Sequence, residues 1–116
     1  MPKAEDEDII RLRHMLDAAS KALELTESCN RDELDKDEKL ALALVRLLEV
    51  LGEAARRVSD HCRQMYPKIP WRQIAGTRNR LIHGYFDVDL DIVWRIISTD
   101  LPPLVQQLET ALSNQK

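Results

Sequence analysis

The chain has 116 residues, 44% hydrophobic and 32% charged, with a formal charge of −3; one domain of this size buries about 65% of its unfolded surface without a metal or a disulfide. The cysteines, Cys29 and Cys62, lack a C-x-x-C spacing, and Met1-Pro2-Lys3 runs into acids rather than into a signal peptide, so a reduced, cytoplasmic protein is expected. Leu40 to Leu51 is interrupted by Arg46 and Glu49 and falls short of the ~20 apolar residues that span a bilayer, which argues against a membrane partner.

Ile9, Leu12, Leu16, Ala19 and Leu23 recur at steps of three and four, which predicts a helix over roughly 5–28 with Glu5 to Asp8 where the helix dipole favours acids. Cys29 to Asp32 break the pattern. Leu40, Leu44, Leu47, Leu51, Ala54 or Ala55, and Val58 then predict a second helix over about 35–64, with Gly52 its weak point. Pro67 and Pro70 close it, and Pro70 is suited to be the first residue of a short helical turn through Ile74. Gly76 separates that turn from the segment Arg78-Asn79-Arg80-Leu81-Ile82-His83-Gly84-Tyr85. Asp87, Asp89 and Asp91 are candidate N-caps for a further helix carrying Leu90, Val93, Trp94 and Ile97. Pro102 and Pro103 cannot sit deep inside a straight helix, so Leu101 to Leu112 either kinks there or restarts with Asp100 as cap. With no run of period two, no linker composition and no repeat, the expectation is an all-α, compact antiparallel bundle of four to five helices over 1–116.

The net charge hides an asymmetry. From Ala54 to Phe86 seven bases (Arg56, Arg57, Arg63, Lys68, Arg72, Arg78, Arg80) face the single acid Asp60, a local +6, while the other ten bases and nineteen acids give −9. A polyanion would be steered to one region and repelled elsewhere, although a basic run of this kind also serves as a solvated helix face.

Within that region Arg78 is a permanent cation with a fork of donors matched to phosphate, and His83 carries an imidazole whose reference pKa near 6.5 lets it take and give a proton. RNA cleavage without a metal has these needs: the 2′-OH is deprotonated, the anionic transition state is stabilised and the departing 5′-oxygen is protonated. One histidine cannot easily do both transfers at once, whereas an isologous dimer brings a second histidine and arginine to the same cleft. The spacing R-x4-H alone is common and equally suits helix capping or ion pairing.

The longer pattern is more specific. Arg78-Asn79 followed by His83-x-Tyr85, approached by Lys68 to Gly76 and followed by Tyr85 to Asp89 and Asp100-Leu101-Pro102-Pro103-Leu104, resembles the R-x4-H-x-Y signature of HEPN-domain toxins of the HepT-like family. The resemblance covers most of the chain. It implies a dimerising helical bundle that acts as the toxin of a type VII-like toxin–antitoxin pair, cleaving RNA, with tRNA a candidate substrate. It also implies a nucleotidyltransferase antitoxin that adenylylates the motif tyrosine. Arg78 and His83 are then catalytic and Tyr85 is the modified residue, with no cofactor. An adenylyl group on Tyr85 would set phosphate charge within reach of Arg78 and fill the cleft. On the same hypothesis Asn79 orients the phosphate or the imidazole, and Arg80 and Arg72 bind flanking phosphates; each suits helix capping or surface charge equally well.

Two other classes compete. A non-catalytic helical module would bind the nucleotidyltransferase and serve as its substrate, and a helix-turn-helix repressor would bind DNA, although the acidic remainder and the lack of a polar recognition helix weigh against the second. His61 beside Cys62 lacks a partner pair at metal-ligand spacing, so no metal site is expected. His14 is placed on the solvated side of the first helix, and Trp71 and Trp94 read as packing anchors.

Overall fold

The computed structural model describes residues 5–83 and 87–115, with Ile82, His83 and Asp87 described at the backbone. It is an all-α architecture built on three long helical rods. Helix α1 (Asp6–Leu25) opens with Asp6, Glu7 and Asp8 in its first turn, where the helix dipole favours negative charge. Its buried line runs through Leu12, Met15, Ala19 and Ala22, so Ile9, Leu16 and Leu23 flank the core half-buried instead of leading it. The small alanines bring α1 close to its neighbours. The helix stops three residues before the predicted end, where the Thr26 hydroxyl folds back to donate to the Ala22 carbonyl at 2.9 Å.

A single turn, α2 (Glu33–Lys36), leads into α3 (Glu38–Arg56), whose N-terminus is capped by Asp37 accepting from the Leu40 amide at 3.0 Å. Leu44, Leu48, Leu51 and Ala55 form the buried edge of α3. The helix expected over about 35–64 is broken at Arg57 to Ser59, and α4 (Asp60–Met65) starts afresh. Val58 and Cys62 prolong the apolar spacing of α3, yet Val58 lies in the break and Cys62 in α4. Ser59 caps α4 by accepting from the Cys62 amide at 3.1 Å. It is itself held by the buried Asp8 carboxylate, which accepts from the Ser59 amide at 2.8 Å and from its hydroxyl at 2.6 Å. The end of α3 is closed by Arg63, whose guanidinium donates to the Ala55 carbonyl at 2.9 Å and to the Val58 carbonyl at 3.2 Å.

Two short helices, α5 (Trp71–Ala75) and α6 (Thr77–Leu81), follow. Pro70 precedes the first helical residue rather than being it, since its ψ of 71° is not helical; the ladder begins where the Ile74 amide donates to the Pro70 carbonyl at 3.0 Å. Trp71 is the expected packing anchor, buried with its indole N–H donating to the Tyr66 carbonyl at 3.0 Å. Strands β1 (Ile82–His83) and β2 (Asp87–Val88) pair antiparallel with Ile82 opposite Val88 and His83 opposite Asp87. At two residues each they are too short to show alternation in the sequence.

The third rod is unbroken from Leu90 to Ser113: α7 (Leu90–Arg95), a π-helical turn (Ile96–Asp100) and α8 (Leu101–Ser113). Of the three candidate caps Asp89 does the work, accepting from the Asp91 and Ile92 amides at 3.0 and 3.2 Å. Asp91 pairs with Arg31 at 2.7 Å. The prolines do not restart the chain on an Asp100 cap, because the helical ladder runs on through the widened turn and the Asp100 side chain makes no capping bond. In packing, α1 lies along α3 and α8, while α5 and α6 lean on α3 and α7 touches α6. No helix among the described residues is long and apolar enough to cross a membrane.

Burial pushes the Cys62 thiol up to about 11, helped by the negative charge of Asp8. A thiol whose folded pKa is raised stabilises the fold fully below its unfolded value and loses that contribution as pH climbs through the folded one. Urea midpoints should therefore fall more steeply between pH 9.0 and about 11 for the parent than for Cys62→Ala. The comparison is of slopes, since the truncation lowers every midpoint by leaving a cavity.

Candidate active site

The motif is delivered by a contact that needs a missing side chain. A Cβ on Gly52 would lie 3.1 Å from the Ile74 carbonyl oxygen and 3.6 Å from the Thr77 side chain, so the bare backbone of α3 is what lets α5 and α6 sit against it. Thr77, buried to 2%, turns its hydroxyl back to donate to the Ile74 carbonyl at 2.6 Å, which joins α5 to α6 without exposing a polar group. Thr77 and Leu81 are one helical turn apart and both buried, which fixes the inner face of α6. Arg78 and Asn79 consequently face out and are exposed.

Strand β1 follows α6 directly, so Arg78 and His83 lie on either side of a helix-to-strand junction with no loop between. The Asp89 amide donates to the Leu81 carbonyl at 2.7 Å, pinning that junction to the start of α7. Tyr85 lies outside the described residues, and the structure speaks only of the backbone of His83.

The cations of this region divide into two groups. Arg63 closes α3 and stacks 6.0 Å over the Trp71 ring, Arg57 pairs with Glu53 at 3.2 Å, and Arg80 pairs with Asp100 at 3.5 Å. Arg56, Lys68, Arg72 and Arg78 are exposed and make no ion pair or hydrogen bond with their side chains among the described residues. Arg56 lies one turn beyond Gly52 on the same face of α3, beside the contact that carries α6. Among the described residues nothing engages the Arg78 guanidinium, which stands next to the strand bearing His83, a placement suited to an incoming phosphate. Among the described residues no three His, Cys, Asp or Glu side chains gather to hold a metal ion.

Gly52, Gln73 and Asp100 shape the site in ways the linear order does not announce. Gly52 was legible only as a weak point in a helix, although a glycine inside an apolar-periodic helix is a recognised sign of close packing. Asp100 reads as a candidate helix cap, and its bond with Gln73, 27 residues away, leaves no signal in the linear order.

The comparisons with known proteins agree with this frame. A family described as Ribonuclease HepT-like matches residues 15–111, and the chain belongs to that HEPN-type family. It is 33% identical over 98 residues to a Methanocaldococcus jannaschii protein provisionally named an RNase, covering 84% of this chain and 90% of the relative. A Caldanaerobacter subterraneus subsp. tengcongensis protein, also provisionally named an RNase, is 35% identical over 90% of this chain and 94% of its own length. The "Probable ribonuclease HepT" of Thermococcus cleftensis is 35% identical over 81% of this chain and 89% of its own length. No solved structure matches the chain.

Filling the gap at Gly52 should disturb the site first. Gly52→Leu is expected to lose about 1–3 kcal/mol, the usual range for overpacking, in urea unfolding. Amide exchange in α6 should rise more than in α1. Equal exchange in both helices would show that the contact does not carry α6.

Proposed function

We propose that this chain is a metal-independent endoribonuclease, the toxin of a type VII-like toxin–antitoxin pair, working as a homodimer. The observation that carries the reading is Arg78, exposed on α6 and without an ion pair among the described residues, immediately before the strand that holds His83. Family membership and relatives named as ribonucleases support it.

In this mechanism the His83 imidazole of one protomer takes the proton of the ribose 2′-OH, and the oxygen attacks the adjacent phosphorus. The 5′-oxygen leaves with a proton from the second copy's imidazole, and a 2′,3′-cyclic phosphate results. Arg78 lies against the non-bridging oxygens and strengthens its hydrogen bonds as charge builds on them. Asn79, beside Arg78, orients the phosphate or the imidazole, and Arg72 supplies a flanking phosphate contact. A nucleotidyltransferase antitoxin silences the site by adenylylating Tyr85, which sets a phosphate anion and a nucleotide where the RNA enters.

His83→Ala should slow cleavage of total tRNA by about 10² to 10⁴, and Arg78→Ala by about 10² to 10³, with circular dichroism unchanged. Cleavage should persist in excess chelator. Undiminished cutting by His83→Ala would end the assignment. Incubation with the antitoxin and ATP should add adenylyl mass at Tyr85 and abolish cutting, whereas partner binding with no RNA turnover by the unmodified chain would make it a docking module instead.

A further inference from the structure

The π turn brings an acid to the motif helix. Pro102 and Pro103 have no N–H to donate, and in an α-helix their rings would press on the Ser98 and Thr99 carbonyls. The turn widens instead, and the Leu101 amide bonds five residues back to Ile96. A wider turn also satisfies the core. Val93, Ile97 and Leu101 are all exposed by 2% or less, yet eight residues of ideal α-helix overshoot two turns by about 80°. The π turn takes up that excess. Asp100 shares the same four-residue spacing with the buried Ile96 and Leu104, so its carboxylate emerges at the edge of the core rather than in open solvent.

There one oxygen of Asp100 accepts from the Gln73 amide group of α5 at 3.2 Å and meets the Arg80 guanidinium of α6 at 3.5 Å. Both ionic side chains are about 30% exposed, Asp100 at 29% and Arg80 at 30%. Helix α6 has five residues, far too few to be stable by itself. Its roll depends on what grips it from outside. Thr77 and Leu81 grip one side, and Arg80 is the grip on the other.

We propose that Asp100 is a positioning residue for the candidate active site, holding α5 and α6 in register through Gln73 and Arg80 so that Arg78 is presented to the phosphate. It follows that Arg80 holds the site together and does not bind RNA. The effect on cleavage rests on the nuclease reading, whereas the grip on α6 does not.

The test compares Asp100→Ala, Asp100→Asn and Arg80→Ala with the parent. Misplacement of a positioned group costs up to about 10²-fold, so Asp100→Ala should lower kcat by roughly 10- to 100-fold with KM nearly unchanged. Arg80→Ala should match it, the double variant should be no worse than either, and Asp100→Asn, which keeps an acceptor, should recover part of the loss. Amide exchange in α6 should rise about tenfold in Asp100→Ala, with α1 and α3 unaltered. If Asp100→Asn instead bound RNA more tightly, with a salt slope steeper by about 0.7 for one freed phosphate contact, Arg80 would be an RNA ligand and the proposal would fall. If Asp100→Ala does not fold, Asp100→Asn carries the same measurements. Should the parent cut no RNA, the nuclease reading fails alone, and unchanged α6 exchange in the Asp100 variants would still overturn this inference.

Discussion

The approach of α5 and α6 to the naked backbone of Gly52 is the contact on which the presentation of the motif depends. Helices normally pack 8–10 Å apart because side chains keep them there. Removing one side chain from α3 allows a carbonyl of α5 and the buried Thr77 of α6 to come in against the helix itself. The two short helices have too few residues to be stable by themselves, so their conformation is borrowed from the long one. An outward-facing Arg78 is the geometric complement of an inward-facing Thr77 and Leu81.

That arrangement changes what the basic region means. Counted along the chain it holds seven cations against one acid, but Arg57, Arg63 and Arg80 are spent on Glu53, on the end of α3 and on Asp100. The charges left for a polyanion are those on α5, α6, the end of α3 and Lys68. Fewer phosphate contacts imply weaker non-specific attraction and a gentler dependence on salt than the linear count suggests. Any selectivity then rests more on the shape around Arg78 than on bulk attraction.

Much of the bundle was legible because long helices write their packing into the sequence at steps of three and four. Leu12, Leu44 and Leu51 were recoverable in that way, whereas on α3 the buried position is Leu48 rather than its half-buried neighbour Leu47; Asp89 stood among three possible caps. The corner at Arg57 to Ser59 was not. Val58 and Cys62 continue the spacing of α3, and the group that breaks it, the carboxylate of Asp8, is 51 residues away. The π turn was half legible: two prolines announce a disturbance, but whether a helix kinks, restarts or widens depends on the core it must cover. Arg78, His83 and Tyr85 stood out through their resemblance to a family motif, whereas Asp100 and Gln73 meet only once the chain is folded.

The tie between Asp8 and Ser59 makes the opening turn of the protein part of its middle. A bulky tag or fusion partner placed ahead of α1, if it strained that turn, would loosen the hinge from which the chain runs on towards Trp71 and the motif. The other end carries a comparable obligation, because the Tyr66 hydroxyl donates to the Ala111 carbonyl at 3.2 Å and accepts from the Gln115 side chain, so an extension after α8 would pull on the segment that anchors Trp71.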